Sequence, residues 1–204
     1  MSKHLTALAA AMAALALTGG APARAASADP AAQQVDAWDA ALLDAMKSAK
    51  QLGAMGRYHK LEPAVARAFD ASTMIRFAVG PSWSTIPAAQ QQALTSAFQR
   101  LTVAGYAHSF DGYTGERFEL DPNVVTRGPD KLVTTKIVAP GGAPVTIAYR
   151  MRQAGGTWKI IDVFYNGAIS QLTTRRADFA ATLAKGGPTA LITHLNQLAD
   201  NQLK

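Results

Sequence analysis

An α+β domain with a curved antiparallel sheet is the fold class predicted by three features of the chain. Apolar residues recur at helical spacing through the first half, switch to a period of two between about residues 116 and 165, and return to helical spacing near the end. Short glycine-rich links join the consecutive period-two segments, as antiparallel pairing requires. No internal repeat and no linker divides the sequence. The expectation is therefore about four strands wrapped by N- and C-terminal helices.

The first residues are set apart from this domain. Lys3 and His4 lead an apolar run from Leu5 to Leu17, which Thr18, Gly19, Gly20 and Pro22 break before the small-x-small triplet Ala23-Arg24-Ala25. That order predicts a secretory signal peptide over 1–25, cleaved after Ala25, because the run is too short to span a bilayer. Removing it from the 204 residues leaves a single domain over 26–204, exported and expected to be soluble in the periplasm.

The helices follow in order. Val35, Trp38, Leu42, Met46, Ala49 and Leu52 form one stripe, which Gly53 and Gly56 close. Glu62-Pro63 is read as the start of a second helix, with proline in a tolerated first-turn position. Asp70 caps a third carrying Met74, Ile75, Phe77 and Ala78, stopped by Gly80-Pro81. Thr85-Ile86-Pro87 opens a longer one with Leu94, Phe98, Leu101 and His108 in a row. His108, lying on that apolar row, is read as a core histidine.

The strands come next. Residues 116–120 alternate, with Phe118 and Leu120 on one face, and a second strand covers 131–138 before the turn cluster Ala139-Pro140-Gly141-Gly142. In the third, Val145, Ile147, Tyr149 and Met151 face one way, with Thr146, Arg150 and Arg152 opposite. Gln153-Ala154-Gly155-Gly156 turns the chain into the fourth, 157–165. Its strict alternation puts Trp158, Ile160, Asp162 and Phe164 on one face and Ile161, Val163 and Tyr165 on the other. Two helices finish the chain. One carries Ile169, Leu172, Phe179 and Leu183 and ends at Lys185-Gly186-Gly187; Pro188 opens the other, with Leu191, Ile192, Leu195 and Leu198 on one side.

Composition narrows the chemistry. The absence of cysteine excludes disulfides, thiolate metal sites and a cysteine nucleophile. The net charge of +6 falls to +4 once Lys3 and Arg24 leave with the signal, and the remaining basic residues, Arg175 and Arg176 among them, are too scattered for a nucleic-acid groove. A mildly positive surface suits anionic lipid headgroups as well as plain solvation. No GxSxG, HExxH, P-loop or dinucleotide fingerprint occurs, and His59, His108 and His194 lack metal spacing, so neither a metal nor a cofactor is expected and the chain is not read as an enzyme. Asp162 is the exception. A carboxylate on an apolar face must be paired, here with Arg76, Arg150 or Arg176, or serve as a general base beside a donor such as Tyr149.

Leu61-Glu62-Pro63, Phe69-Asp70, Met74, Arg76, Gly80 and Trp83, then Gln90-Gln91, Phe98, Leu101, Tyr106 and Tyr113-Thr114-Gly115, appear in an order that resembles the MlaC family of periplasmic phospholipid-binding proteins, the toluene-tolerance auxiliary components. The 158–163 strand, Gly167, Ser170, Arg176 and Asp178-Phe179 continue the likeness over about 35–198, and 164–170 is similar to the hopanoid-associated HpnM branch. The resemblance implies a sheet-and-helix shell of cystatin-like or NTF2-like outline around an apolar pocket. Its cargo would be a phospholipid, or a hopanoid or other isoprenoid lipid. Its partners would be an inner-membrane lipid transporter with a periplasmic lipid-binding component and an outer-membrane lipid partner.

A ~16-carbon tail left in water costs on the order of 12 kcal/mol, so such a role needs a container. Candidate pocket residues are Phe69, Met74, Phe77, Trp83, Leu101, Tyr106, Phe118, Ile147, Tyr149, Met151 and Val163, with Arg76 and Asp162 as polar groups at the mouth. Two readings of other kinds stand beside it: a small isomerase- or hydratase-like enzyme using Asp162 or Asp70 as base on an apolar substrate, and an envelope adaptor that binds only proteins and has no sizeable cavity.

Overall fold

The computed structural model describes residues 29–204; the expected signal peptide, 1–25, lies outside the described residues. The first element of the described residues is helix α1 (Pro30–Lys47), which starts five residues before the first apolar position of the stripe. Asp29 sets that start: its Oδ1 accepts from the Ala31 N–H at 2.8 Å, and Pro30 occupies the first helical turn, where no N–H is needed. Val35, Trp38, Leu42 and Met46 are buried.

Helix α2 (Ala49–Ala68) corrects the reading of a second start at Glu62-Pro63. The break falls instead at Gly53, whose φ of 62° only glycine adopts readily, and the helix then runs through Gly56 and Pro63. Pro63 deprives one carbonyl of its helical partner. Burial of Leu61, Ala64, Val65 and Ala68 on either side carries the helix across it. Lys60 reaches Asp44 at 2.7 Å, so α2 folds back along α1.

Helix α3 (Ala71–Val79) is capped as expected, Asp70 accepting from the Thr73 N–H at 2.9 Å and from its hydroxyl at 2.6 Å, and it stops at Gly80 with φ 73°. A 3₁₀ turn over Gly80–Thr85 leads to α4 (Ala88–Ser109). Leu94, Phe98 and Leu101 face the core, but His108 is exposed and Ala107 takes the buried position, so the core-histidine reading is wrong.

Six strands, not four, form one sheet: β1 (Arg117–Leu120), β2 (Val125–Arg127), β3 (Asp130–Val138), β4 (Val145–Ala154), β5 (Thr157–Tyr165) and β6 (Ile169–Ser170). The pairings between these strands are all antiparallel, in the order β1-β3-β4-β5-β6 with β2 also on β3. The two unforeseen strands have three and two residues, too few for a period to register. Ile169, expected in the first of the two C-terminal helices, pairs with Tyr165 instead.

One irregularity decides which side chains face the helices. Arg150 lies opposite Asp162, but the next pair is Met151 with Ile160, so Ile161 is an extra residue in a β-bulge. The bulge puts Ile160 on the same face as Val163, Tyr149 and Met151, and leaves Asp162 opposite, beside Arg150 and Phe164. Strict alternation through 157–165 is therefore corrected: Asp162 does not share a face with Ile160.

The last helix, α5 (Gln171–Gln202), breaks at Gly186 and Gly187, the latter with φ 64°. His194 Nε2 lies 2.8 Å from Asp178 Oδ2. Sixteen residues of straight helix would separate these positions by roughly 24 Å, so the halves must run back alongside each other. The two expected C-terminal helices are thus an antiparallel hairpin turned at Gly-Gly-Pro.

Polar ties lock the layers. Asp39 of α1 accepts from the Thr135 hydroxyl of β3 at 2.8 Å. On the opposite sheet face Asp130, 2 % exposed, receives Arg150 and Arg152 at 2.5–2.9 Å. Burial pushes the Asp130 carboxyl up, but the two guanidinium groups outweigh it and hold the pKa below the ordinary carboxylate value. With the folded pKa depressed, this contribution is complete above the unfolded value near ~4 and is lost as pH falls through the lower folded value. Asp130→Asn is expected to cost about 1–2 kcal/mol at pH 7, less than a fully buried pair because both arginines are partly solvated, and to flatten the acid limb of stability. Urea melts between pH 2 and 7 measure both.

Candidate functional site

A cavity of about 190 Å³ lies where α4, α5, β5 and the α2–α3 junction meet. From α4, Phe98, Leu101, Thr102, Gly105, Tyr106 and Ser109 line it; from β5, Val163 and Tyr165. Phe69 and Met74 line it from the α2–α3 junction, and Gln171, Leu172, Arg175 and Gln202 from the two far ends of the α5 hairpin. Five of the sequence-derived pocket candidates meet here: Phe69, Met74, Leu101, Tyr106 and Val163. Bulge geometry brings Val163 in, since it returns that residue to the helix-facing side of the sheet.

An aromatic cluster holds two of the lining residues, Phe69 and Tyr106. Trp38 stands edge-on to Phe69 and Tyr106, with centroids 5.0 and 4.8 Å apart, and Tyr106 stacks on Phe110 at 5.8 Å. Tyr106 lines the cavity, and its hydroxyl is buried. Burial, then the nearby Tyr165 and Asp39, push that hydroxyl's pKa well above the ordinary tyrosine value, so it stays protonated. Tyr149 is shifted the same way, burial again leading.

The other candidates lie elsewhere. Phe118, Ile147, Tyr149 and Met151 are 0–4 % exposed, packed in the core, and do not line this cavity. Phe77 is held between the guanidinium groups of Arg76 and Arg152, 5.6 and 5.5 Å from its ring centre. Arg76 and Trp83 share a separate, open and polar cleft with Ser72, Thr73 and Gln91.

Asp162 is neither an ion-pair partner of the arginines named for it nor a base facing an apolar hollow. Its Oδ1 accepts from the N–H groups of Val163 (2.8 Å) and Leu172 (3.4 Å), and its Oδ2 from the Ser170 hydroxyl (2.6 Å). Ser170 in turn caps α5, accepting from the Thr173 N–H at 3.0 Å. Arg150 pairs with Asp130 and Arg176 with the Phe77 carbonyl. Asp70, the other proposed base, is committed to the α3 cap.

Two features of the site had not been foreseen. Tyr165, Ile169 and Val145 form an exposed apolar lip, 37, 53 and 40 % accessible, and Tyr165 links it to the cavity. Arg175 enters the lining from the first turns of α5. A signal for it existed: it lies three residues after Leu172 and four before Phe179, within an otherwise apolar row.

The chain matches the MlaC protein family over residues 37–197, most of its length. It belongs to the MlaC family. The family assignment expected from the sequence therefore holds, and it spans every element from α1 through the second arm of α5. No curated protein matches the chain. Its fold is similar to that of a phospholipid-binding protein from Ralstonia solanacearum solved in complex with a phospholipid. The TM-score is 0.74 at 21 % identity, covering 86 % of this chain and all of that one. As a member of the MlaC family the chain is grouped with lipid-binding proteins. Among the described residues no helix is long and apolar enough to cross a membrane, and no three His, Asp or Glu are grouped to hold a metal ion.

Proposed function

We propose that this protein is a periplasmic carrier that holds the acyl part of a phospholipid in the α4–α5–β5 cavity and moves it between the inner and outer membranes. The observation that carries the reading is the hollow itself, bounded by the apolar side chains of Phe69, Met74, Leu101 and Val163 and opening beside an apolar lip. Family membership and the phospholipid-bound relative support it. The partners are an inner-membrane lipid transporter that loads the carrier and an outer-membrane component that unloads it, or the reverse.

The volume sets a condition on loading. An engineered cavity of ~150 Å³ takes up benzene, whereas pockets for larger ligands run to ~300–1,000 Å³. At about 190 Å³ the hollow accommodates a segment of one tail, so a two-tailed cargo needs more room than it offers in this state. A rigid hopanoid ring system demands more widening than a flexible acyl chain.

Protein isolated from periplasm without detergent is expected to release phospholipid on solvent extraction, read by mass spectrometry, and to transfer labelled lipid between vesicles. Recovery of hopanoid alone would replace the cargo; repeated recovery of nothing, with no vesicle transfer, would remove the carrier reading.

A further inference from the structure

Among the described arginines, Arg57, Arg100, Arg117, Arg150, Arg152 and Arg176 all have side-chain hydrogen bonds or carboxylate partners. Arg67, Arg76, Arg127 and Arg175 have neither, and the first three of these are exposed. Arg175 alone is partly buried and unpaired among the described residues, and it lines the cavity. Burial lowers its pKa, an effect that Asp178 only partly offsets. Asp178 itself is engaged with His194 at 2.8 Å. A guanidinium stays protonated at neutral pH and presents five N–H donors, so one left without an acceptor in a half-dry wall is costly until an anion arrives. Ser109, Gln171 and Gln202, in the same lining, add neutral donors for further oxygens.

We propose that Arg175 is the recognition group of the cavity and binds an oxyanion, phosphate or carboxylate, carried by the apolar chain that the cavity shelters. The inference rests on the carrier reading and sharpens it: cargo is an anionic amphiphile, and a neutral polycyclic lipid, which leaves the guanidinium unmatched, is disfavoured. A planar fork of donors suits two oxygens of one head, which a lysine cannot reproduce.

The test uses the full mature chain, stripped of lipid, titrated with the fluorescent fatty acid cis-parinaric acid and with its methyl ester. The acid is expected to bind roughly 10- to 100-fold tighter, the range for a charge-assisted hydrogen bond against none. Arg175→Gln should lower acid binding to the ester's level and leave the ester unchanged, the ester serving as the check on folding; Arg175→Lys should keep only part of the preference. Lysophosphatidic acid should displace the probe better than monoacylglycerol, identifying a phosphate head as acceptable. Inorganic phosphate at millimolar concentration should not displace it. Equal binding of acid and ester by the native protein, or equal weakening of both by Arg175→Gln, overturns the assignment while leaving the carrier intact. Displacement by inorganic phosphate alone overturns the requirement for an attached chain. Binding of neither probe removes the carrier reading and this inference with it.

Discussion

Gly105→Leu is expected to weaken lipid binding about 100-fold while making the empty protein more stable. Gly105 lies within α4, lines the cavity, and a Cβ built on it meets no heavy atom within 4 Å. It is not among the glycines with positive φ, so an ordinary side chain fits its backbone. A leucine there projects four carbons into space the cargo would use. Displacing three or four methylenes at ~0.8 kcal/mol each removes about 3 kcal/mol of binding, close to two powers of ten. The helix meanwhile gains up to ~1 kcal/mol from replacing glycine, a rise of roughly 2–4 °C in Tm for a domain this size. Probe titration and a thermal melt measure the two effects on one sample. A variant that melts higher yet binds as well as the native chain would place the lipid somewhere else.

The second large effect is expected at Asp162. Asp162→Ala strands the buried N–H groups of Val163 and Leu172 and frees the Ser170 hydroxyl that caps α5. An unsatisfied buried donor costs ~1–3 kcal/mol, and a cap about 1, so the loss should be about 3 kcal/mol by urea denaturation. Asp162→Asn keeps one carbonyl oxygen as acceptor and should cost less than half of that. Lipid transfer by Asp162→Asn should persist. A turnover that this conservative change abolishes, with stability nearly intact, would revive the general-base reading.

Much of this fold was legible because its boundaries are written in residues with a single local use. Asp70 before a helix, Gly80-Pro81 after it and Gly186-Gly187-Pro188 at the hairpin turn each leave the backbone few alternatives. Pro63 misled for the opposite reason: proline suits a first turn, but tertiary burial of its neighbours overrode the preference. The β-bulge was invisible because one inserted residue reverses alternation without changing composition, and Ile161 is as apolar as its neighbours. Strict alternation hence sets Asp162 on the wrong face and gives it the wrong partners. In the cavity, the aromatic and aliphatic lining was recognisable by type, but nothing in periodicity distinguishes Leu101, which borders the hollow, from Tyr149, which is packed solid. Arg175 is one of many scattered basic residues in the sequence, and only its place between Leu172 and Phe179 sets it apart.

The doubled-back α5 gives the molecule a mechanical lever. Each arm has about 15 residues, so it reaches roughly 22 Å from the Gly186–Gly187 pivot to the ends that carry Gln171, Arg175 and Gln202. Turning one arm by about 10° at that pivot displaces its tip by about 4 Å, nearly the width of a hydrocarbon chain. Torsional adjustments of a few degrees, absorbed by two residues without side chains, thus become ångström-scale travel at the opposite end.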